Sequence, residues 1–137
     1  MTMDLSKYQF HATLQVRDYE IDAEGIVNNA VYLHYMEHTR HLFCREAGFS
    51  FAQMRSAGID PVAARIEIDY KTPLRSGDVM VSCLSISRRG PVYVFDQDIY
   101  RADGTLCAGG RVMIACIKDG KLTRGDELAR AFKDYIN

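Results

Sequence analysis

This sequence has no excess of either charge, no membrane-length apolar run and no paired-cysteine motif. Lys and Arg total 17 against 18 Asp and Glu, a formal net charge of -1. That balance supplies no field for nucleic acid or an anionic membrane, so an anionic ligand must be held by a local cluster. The clean apolar stretches are only a few residues long, such as Val112 to Ile117, where a membrane span needs about 20. The opening MTMDLSKYQF carries Asp4 and no apolar centre, and does not read as a secretory signal. Cys44, Cys83, Cys107 and Cys116 are widely spaced in apolar surroundings, with no CxxC pair. They read as reduced, mostly buried thiols of a cytoplasmic protein. Repeats, linkers and low-complexity segments are also lacking.

What is present is a globular mixture, 47% hydrophobic and 26% charged over 137 residues. This fits a single domain, 1–137, with one good core. Alternation at Phe10, Ala12, Leu14 and Val16 predicts a strand over Tyr8 to Tyr19. A polar turn, Glu20 to Asn29, leads into a predicted long helix from Ala30 to Ala47. Tyr32, Met36, Thr39 and Phe43 follow its period, Asn28 or Asn29 caps its start and Gly48 ends it. A short helix, Ser50 to Ser56, has Ser50 as its cap. The period then falls to two, predicting strands over Val62–Lys71, Val79–Arg88, Val92–Arg101 and Leu106–Ile117. Asp119-Gly120 turns the chain away, and a terminal helix is predicted over Leu128–Ile136 with Asp126 as its cap. Short connections between the later strands imply antiparallel pairing. The fold class is therefore α+β: about five antiparallel strands with one face covered by one long helix.

The informative stretch is VRDYEIDAEGIVNNAVYLHYMEHTRHLF, residues 16 to 43. Within it Asp22 precedes a helix start, where unpaired N–H groups carry partial positive charge. Attack on a carbonyl carbon needs a carboxylate nearby and donors aimed at the carbonyl oxygen. Asp22 supplies the first. The backbone near Asn28 and Asn29 supplies the second, and Gly25 permits the tight turn between them. Taken alone, Asp22 also fits a helix cap or an Asx turn.

The pattern Asp22, Gly25, Val27, Asn28, Asn29, Tyr32, Glu37, Arg40 resembles the signature of the 4-hydroxybenzoyl-CoA thioesterase family of the hot-dog superfamily. IEIDYKTPLRSGD at 66 to 78 and the hairpin SRRGPVYVFDQDIY extend the resemblance over nearly the whole chain. It implies a hot-dog fold, in which a curved antiparallel five-stranded sheet wraps the long helix. It implies an acyl-CoA thioesterase that needs no cofactor and no metal. Asp22 would then be nucleophile or general base, and the Asn29 backbone N–H an oxyanion donor. Val27, Asn28, Tyr32 and Glu37 would contact or frame the substrate, which is acyl-CoA or an acyl-carrier protein thioester. Many relatives carry His where Asn28 and Asn29 stand; Asn cannot shuttle a proton near neutral pH. Relatives assemble as homodimers or homotetramers with sites between subunits, and the same is expected here.

Four further readings accompany this one. Arg88 and Arg89, beside Gly90, are candidates for coenzyme A phosphates; either also fits a solvated hairpin tip. Glu37 and Arg40 stand three apart and read as an ion pair or as support for the site. His34, Glu37 and His38 fit H-x-x-E-H, a zinc-hydrolase pattern, although the motif is short and arises by chance. A non-catalytic acyl-CoA or acyl-carrier-protein binding module of the same fold is the remaining alternative.

Overall fold

The structure, a computed structural model, describes residues 3–136. Met1, Thr2 and Asn137, which end the expected domain and begin the opening segment, lie outside the described residues. The chain runs β1 (Phe10–Gln15), α1 (Asn29–Glu46), α2 (Phe51–Ser56), β2 (Ile59–Tyr70), β3 (Val79–Arg89), β4 (Val92–Arg101), β5 (Leu106–Lys118), β6 (Lys121–Leu122) and α3 (Asp126–Ala129). The main sheet has the order β1-β3-β4-β5-β2, with the two-residue β6 paired only to β5. Every pairing is antiparallel. The sheet curls around α1, as expected of a hot-dog fold. Among the described residues, no helix is long and apolar enough to cross a membrane.

Local chemistry explains the boundaries. The Asn28 side chain accepts the Ala30 N–H at 2.9 Å and starts α1. Ser50 and Gln53 form a reciprocal capping box at α2. In the β5–β6 turn Asp119 and Gly120 both have positive φ, 50° and 82°, the backbone a tight hairpin turn requires. β1 is shorter than its alternation predicts. After Gln15 the chain leaves the ladder, and Asp18–Glu20 form a 3-10 turn. The Glu20 carboxylate folds back onto the Arg17 N–H at 2.8 Å, which no strand would permit. β2 begins earlier than predicted and includes Pro61. Proline is tolerated because β2 lies at the sheet edge, where its missing N–H breaks no interior ladder.

The predicted terminal helix is a correction. Only Asp126–Ala129 is helical, capped by Gly125 at φ 86° rather than by Asp126. The following residues make turns that dock aromatic rings on the core. Phe132 stacks on Phe43 at 5.9 Å, and Tyr135 meets Phe43 edge-on at 4.7 Å. Short helices are marginal alone, so this packing dictates the local backbone.

The core has two parts along α1. Phe43, Cys44, Leu84, Tyr93, Phe95, Val112 and Phe132 fill the end toward the C-terminal half of the helix. Val27, Tyr32, Tyr35, Met36, Leu74, Ile99 and Cys107 fill the other end. Buried polar links join helix to sheet between them. The Thr39 hydroxyl bonds Ser82 at 2.7 Å, and the Gln97 amide donates to the Met36 carbonyl at 3.0 Å. Gly110 of β5 lets α1 approach closely: a Cβ there would stand 2.9 Å from the Glu67 carbonyl oxygen and 3.2 Å from the Met36 methyl.

Candidate active site at the start of the long helix

The Asp22 loop is a closed clasp. Ile21 and Val27 form a bridge. The Asp22 N–H donates to the Ile26 carbonyl at 2.8 Å, and the Gly25 N–H to the Asp22 carbonyl at 3.1 Å. The Val27 N–H reaches the Leu74 carbonyl at 2.9 Å, and the Asn28 N–H reaches the Glu20 carbonyl at 3.0 Å. Gly25 has φ 80° with nothing within 4 Å of an added Cβ. Its requirement is therefore backbone conformation, not crowding.

The Asp22 carboxylate has two different oxygens. Oδ1 accepts the Glu24 N–H at 2.8 Å and the Ile26 N–H at 3.4 Å. Oδ2 has no hydrogen-bond partner among the described residues. The turn-forming reading thus describes one oxygen and leaves the other available. Half-buried Asp22 lines a cleft of about 370 Å³ together with Val27, Asn29, Tyr32, Tyr70 and Cys107.

Asn29 is the first residue of α1. Its N–H has no acceptor among the described residues, whereas the Ala30 and Val31 N–H groups are both held by Asn28. An unpaired N–H at a helix start carries partial positive charge and suits an anion or a polarised oxygen. Asp22 and Asn29, each with one polar group that has no partner among the described residues, therefore line the same cleft.

Two tyrosines form its wall. Tyr32 is 3% exposed, and its hydroxyl accepts the Leu74 N–H at 3.0 Å. Tyr70 donates to the Asn29 carbonyl at 2.8 Å and meets Tyr32 edge-on at 5.4 Å. Cys107 is buried, and burial raises its thiol pKa, which keeps it protonated and a poor nucleophile. All four cysteines are buried and unpaired, and burial pushes Cys44 and Cys83 to about 12.

The structure brings Asp22, Val27, Asn29 and Tyr32 to one cleft. Asn28 caps the helix from an exposed position beside it. Glu37 is elsewhere, in a cleft between α1, α2 and β2. It does not pair with Arg40 but lies 3.7 Å from His41. Arg40 turns inward instead, is 8% exposed and donates to Gln97 at 2.8 Å. His34 and His38 line a third cleft with Glu20, so the zinc trio does not converge. No group of three or more His, Cys, Asp or Glu is placed to hold a metal among the described residues.

Arg88 and Arg89 are at the end of β3 opposite Val79, whereas the Asp22 loop is tied to Leu74 and the preceding segment to Asp78, before β3 begins. Arg88 is engaged there by the carbonyls of Gly90 and Arg124 and by Asp126 at 2.7 Å. Sequence reasoning missed Tyr70, Lys71 and Cys107 as cleft residues. Only strand register, Tyr70 against Ala108, brings them to the helix start.

Comparison with known proteins agrees with this architecture. The profile of the Thioesterase-like superfamily matches residues 16–133. An acyl-acyl carrier protein thioesterase of Arabidopsis thaliana, ATL3, is 37% identical over 68% of this chain and 50% of its own length. The chain thus spans about half the length of that chloroplastic relative. The acyl-CoA thioester hydrolase YbgC of Escherichia coli is 29% identical over 75% of this chain and 78% of its own. A crystal structure of a hypothetical protein from Aquifex aeolicus superposes with a TM-score of 0.83 at 28% identity, covering 89% and 98% of the two chains. The match over residues 16–133, which carries both the Asp22 loop and the sheet that frames it, shows that this chain belongs to the Thioesterase-like superfamily.

Proposed function

We propose that this protein hydrolyses acyl thioesters, with Asp22 as the reacting carboxylate and the Asn29 N–H as oxyanion donor. One observation carries the reading. Asp22 and Asn29 line the same cleft, and Asp22 Oδ2 and the Asn29 N–H both lack a partner among the described residues. A thioester carbonyl seated between them would be polarised by the N–H while Oδ2 faced its carbon. A single aimed donor of this kind is worth about 3–4 kcal/mol to the transition state.

Two routes use this geometry. Oδ2 attacks the carbonyl carbon, the thiolate leaves, and water hydrolyses the resulting mixed anhydride. Alternatively, Oδ2 takes a proton from water, and the hydroxide so formed displaces the thiolate. In both, the two backbone bonds to Oδ1 hold the carboxylate plane fixed, so little reorganisation is needed. The relatives named as acyl-CoA and acyl-carrier-protein thioesterases support either carrier as substrate. Arg88 and Arg89 sit at the other end of β3, where Arg88 is already engaged by Asp126, so neither enters this reading.

The cleft sits on an open edge. Tyr70 belongs to β2, the last strand of the main sheet, and Ile66 and Tyr70 are 42% and 46% exposed. A second copy paired along β2 would cover this edge and complete the cleft wall, in keeping with the expected dimer or tetramer.

The test is thiol release from a panel of acyl-CoA and acyl-carrier-protein substrates. Catalytic release from at least one acyl thioester is expected. Tight acyl-CoA binding without turnover would make the protein a binding module instead.

A further inference from the structure

Glu20 is buried, at 8% exposed, yet it does not line the Asp22 cleft. It faces a separate cavity of about 550 Å³ beside Arg17, His34, Tyr35 and His38. A carboxylate is costly to bury unless its oxygens are bonded. Here Oε1 accepts both the Tyr35 hydroxyl, at 2.8 Å, and the Arg17 N–H, at 2.8 Å. Oε2 stands 3.5 Å from the Arg17 guanidinium, which is largely in solvent, so the two hydrogen bonds to Oε1 are the geometric anchor.

The main chain of the same residue has a second attachment. The Glu20 carbonyl accepts the Asn28 N–H at 3.0 Å. The next N–H along the chain is that of Asn29. Asp22 lies two residues after Glu20. One residue therefore fixes both ends of the clasp: its side chain is bonded to Tyr35 in α1, and its carbonyl is bonded to the residue before the proposed oxyanion donor.

We propose that Glu20, held by Tyr35, is a positioning residue that sets the separation between the Asp22 carboxylate and the Asn29 N–H. This deepens the thioesterase reading and rests on it. Tyr35 contributes a hydroxyl that stays protonated, because burial and the neighbouring Glu20 raise its pKa. The pair acts on the reaction only through the geometry of the loop. A misplacement of about 1 Å at the reacting groups is enough to slow chemistry roughly 100-fold.

The test compares wild type with Tyr35→Phe, Glu20→Ala, Glu20→Gln and Asp22→Asn, each with kcat, KM and a thermal unfolding curve. Tyr35→Phe keeps the packed ring and removes one anchor. Glu20→Gln keeps an oxygen able to accept both bonds. Tyr35→Phe and Glu20→Ala are expected to lower kcat by about 10- to 100-fold with KM within about twofold. Glu20→Gln is expected to restore kcat to within about fivefold of wild type, because its amide oxygen accepts the same two bonds. Unchanged kcat in Tyr35→Phe, a change confined to KM, or a loss matching the unfolded fraction would overturn the proposal. If Glu20→Ala does not fold, Tyr35→Phe and Glu20→Gln decide it. An inactive wild type removes the thioesterase reading itself, and an active Asp22→Asn removes Asp22 as the reacting carboxylate on which the geometry of the clasp would act. An inactive Asp22→Asn beside a fully active Tyr35→Phe removes only the role of Glu20.

Discussion

Asp22 and Gly25 show how a few residues can hold a carboxylate beside a helix start. The two backbone N–H groups on Oδ1 hold the carboxylate, and Oδ2 is left without a partner among the described residues. Gly25 makes the turn possible, since its φ of 80° lies where a side chain is strained although no protein atom stands close. Gly25→Ala is expected to destabilise the fold by about 1–2 kcal/mol, the penalty for a left-handed residue with a Cβ. Urea unfolding measures this, and kcat should fall with it because the loop carries Asp22. A Gly25→Ala protein as stable and active as wild type would show that the turn tolerates other conformations. The site was partly legible in the sequence because Asp22, Gly25, Val27, Asn29 and Tyr32 sit within a few residues of each other. Their spacing alone puts a carboxylate beside a helix start. Tyr70 and Cys107 were not legible, because strand pairing brings them there from distant segments. Glu20 was missed for another reason: its value lies in two bonds, to Tyr35 and to Asn28, that no local pattern announces.

At the level of elements, α1 was plain from its period. The predicted span Ala30 to Ala47 is displaced by one residue from the observed Asn29–Glu46. The β3–β4 hairpin was equally plain, with Gly90 at its turn. The ends of β1 and the C-terminal segment were not, because tertiary bonds override local preference there. Glu20 curls the chain after β1, and Phe132 is drawn onto Phe43. Phe43 is the centre of that docking: it is fully buried and contacts the rings of Phe10, Phe95, Phe132 and Tyr135. Phe43→Ala is expected to cost about 3–5 kcal/mol and to loosen the C-terminal segment. Equilibrium unfolding gives the first and amide exchange over residues 126–136 the second. Gly110 tests the opposite fault. Gly110→Ala would press a methyl against the Glu67 carbonyl and Met36, an overpacking worth about 1–3 kcal/mol. A stability equal to wild type would mean that α1 can move off the sheet without penalty.

For the whole molecule, the exposed edge is the main consequence of the fold. One helix covers the middle of the curled sheet and leaves β2 at its border, with Ile66 and Tyr70 open to solvent beside the candidate cleft. Sheet edges with apolar side chains invite pairing. With two copies paired along β2 as proposed, Ile66→Lys is expected to shift the protein toward monomer in sedimentation velocity and to lower thiol release, since Tyr70 on the same strand walls the cleft. A variant that sediments as wild type does would contradict pairing along β2.

The proposed chemistry depends most on Oδ2 of Asp22, and Asp22→Asn is the direct test. Asn retains an oxygen for the Glu24 and Ile26 N–H bonds, so the loop should persist, but it offers neither an anionic nucleophile nor a base. Steady-state thiol release, read beside circular dichroism, is expected to fall by at least about 1,000-fold with the folded signal unchanged, as when a group that reacts directly is removed. A folded Asp22→Asn protein that keeps a substantial part of wild-type turnover would contradict the account.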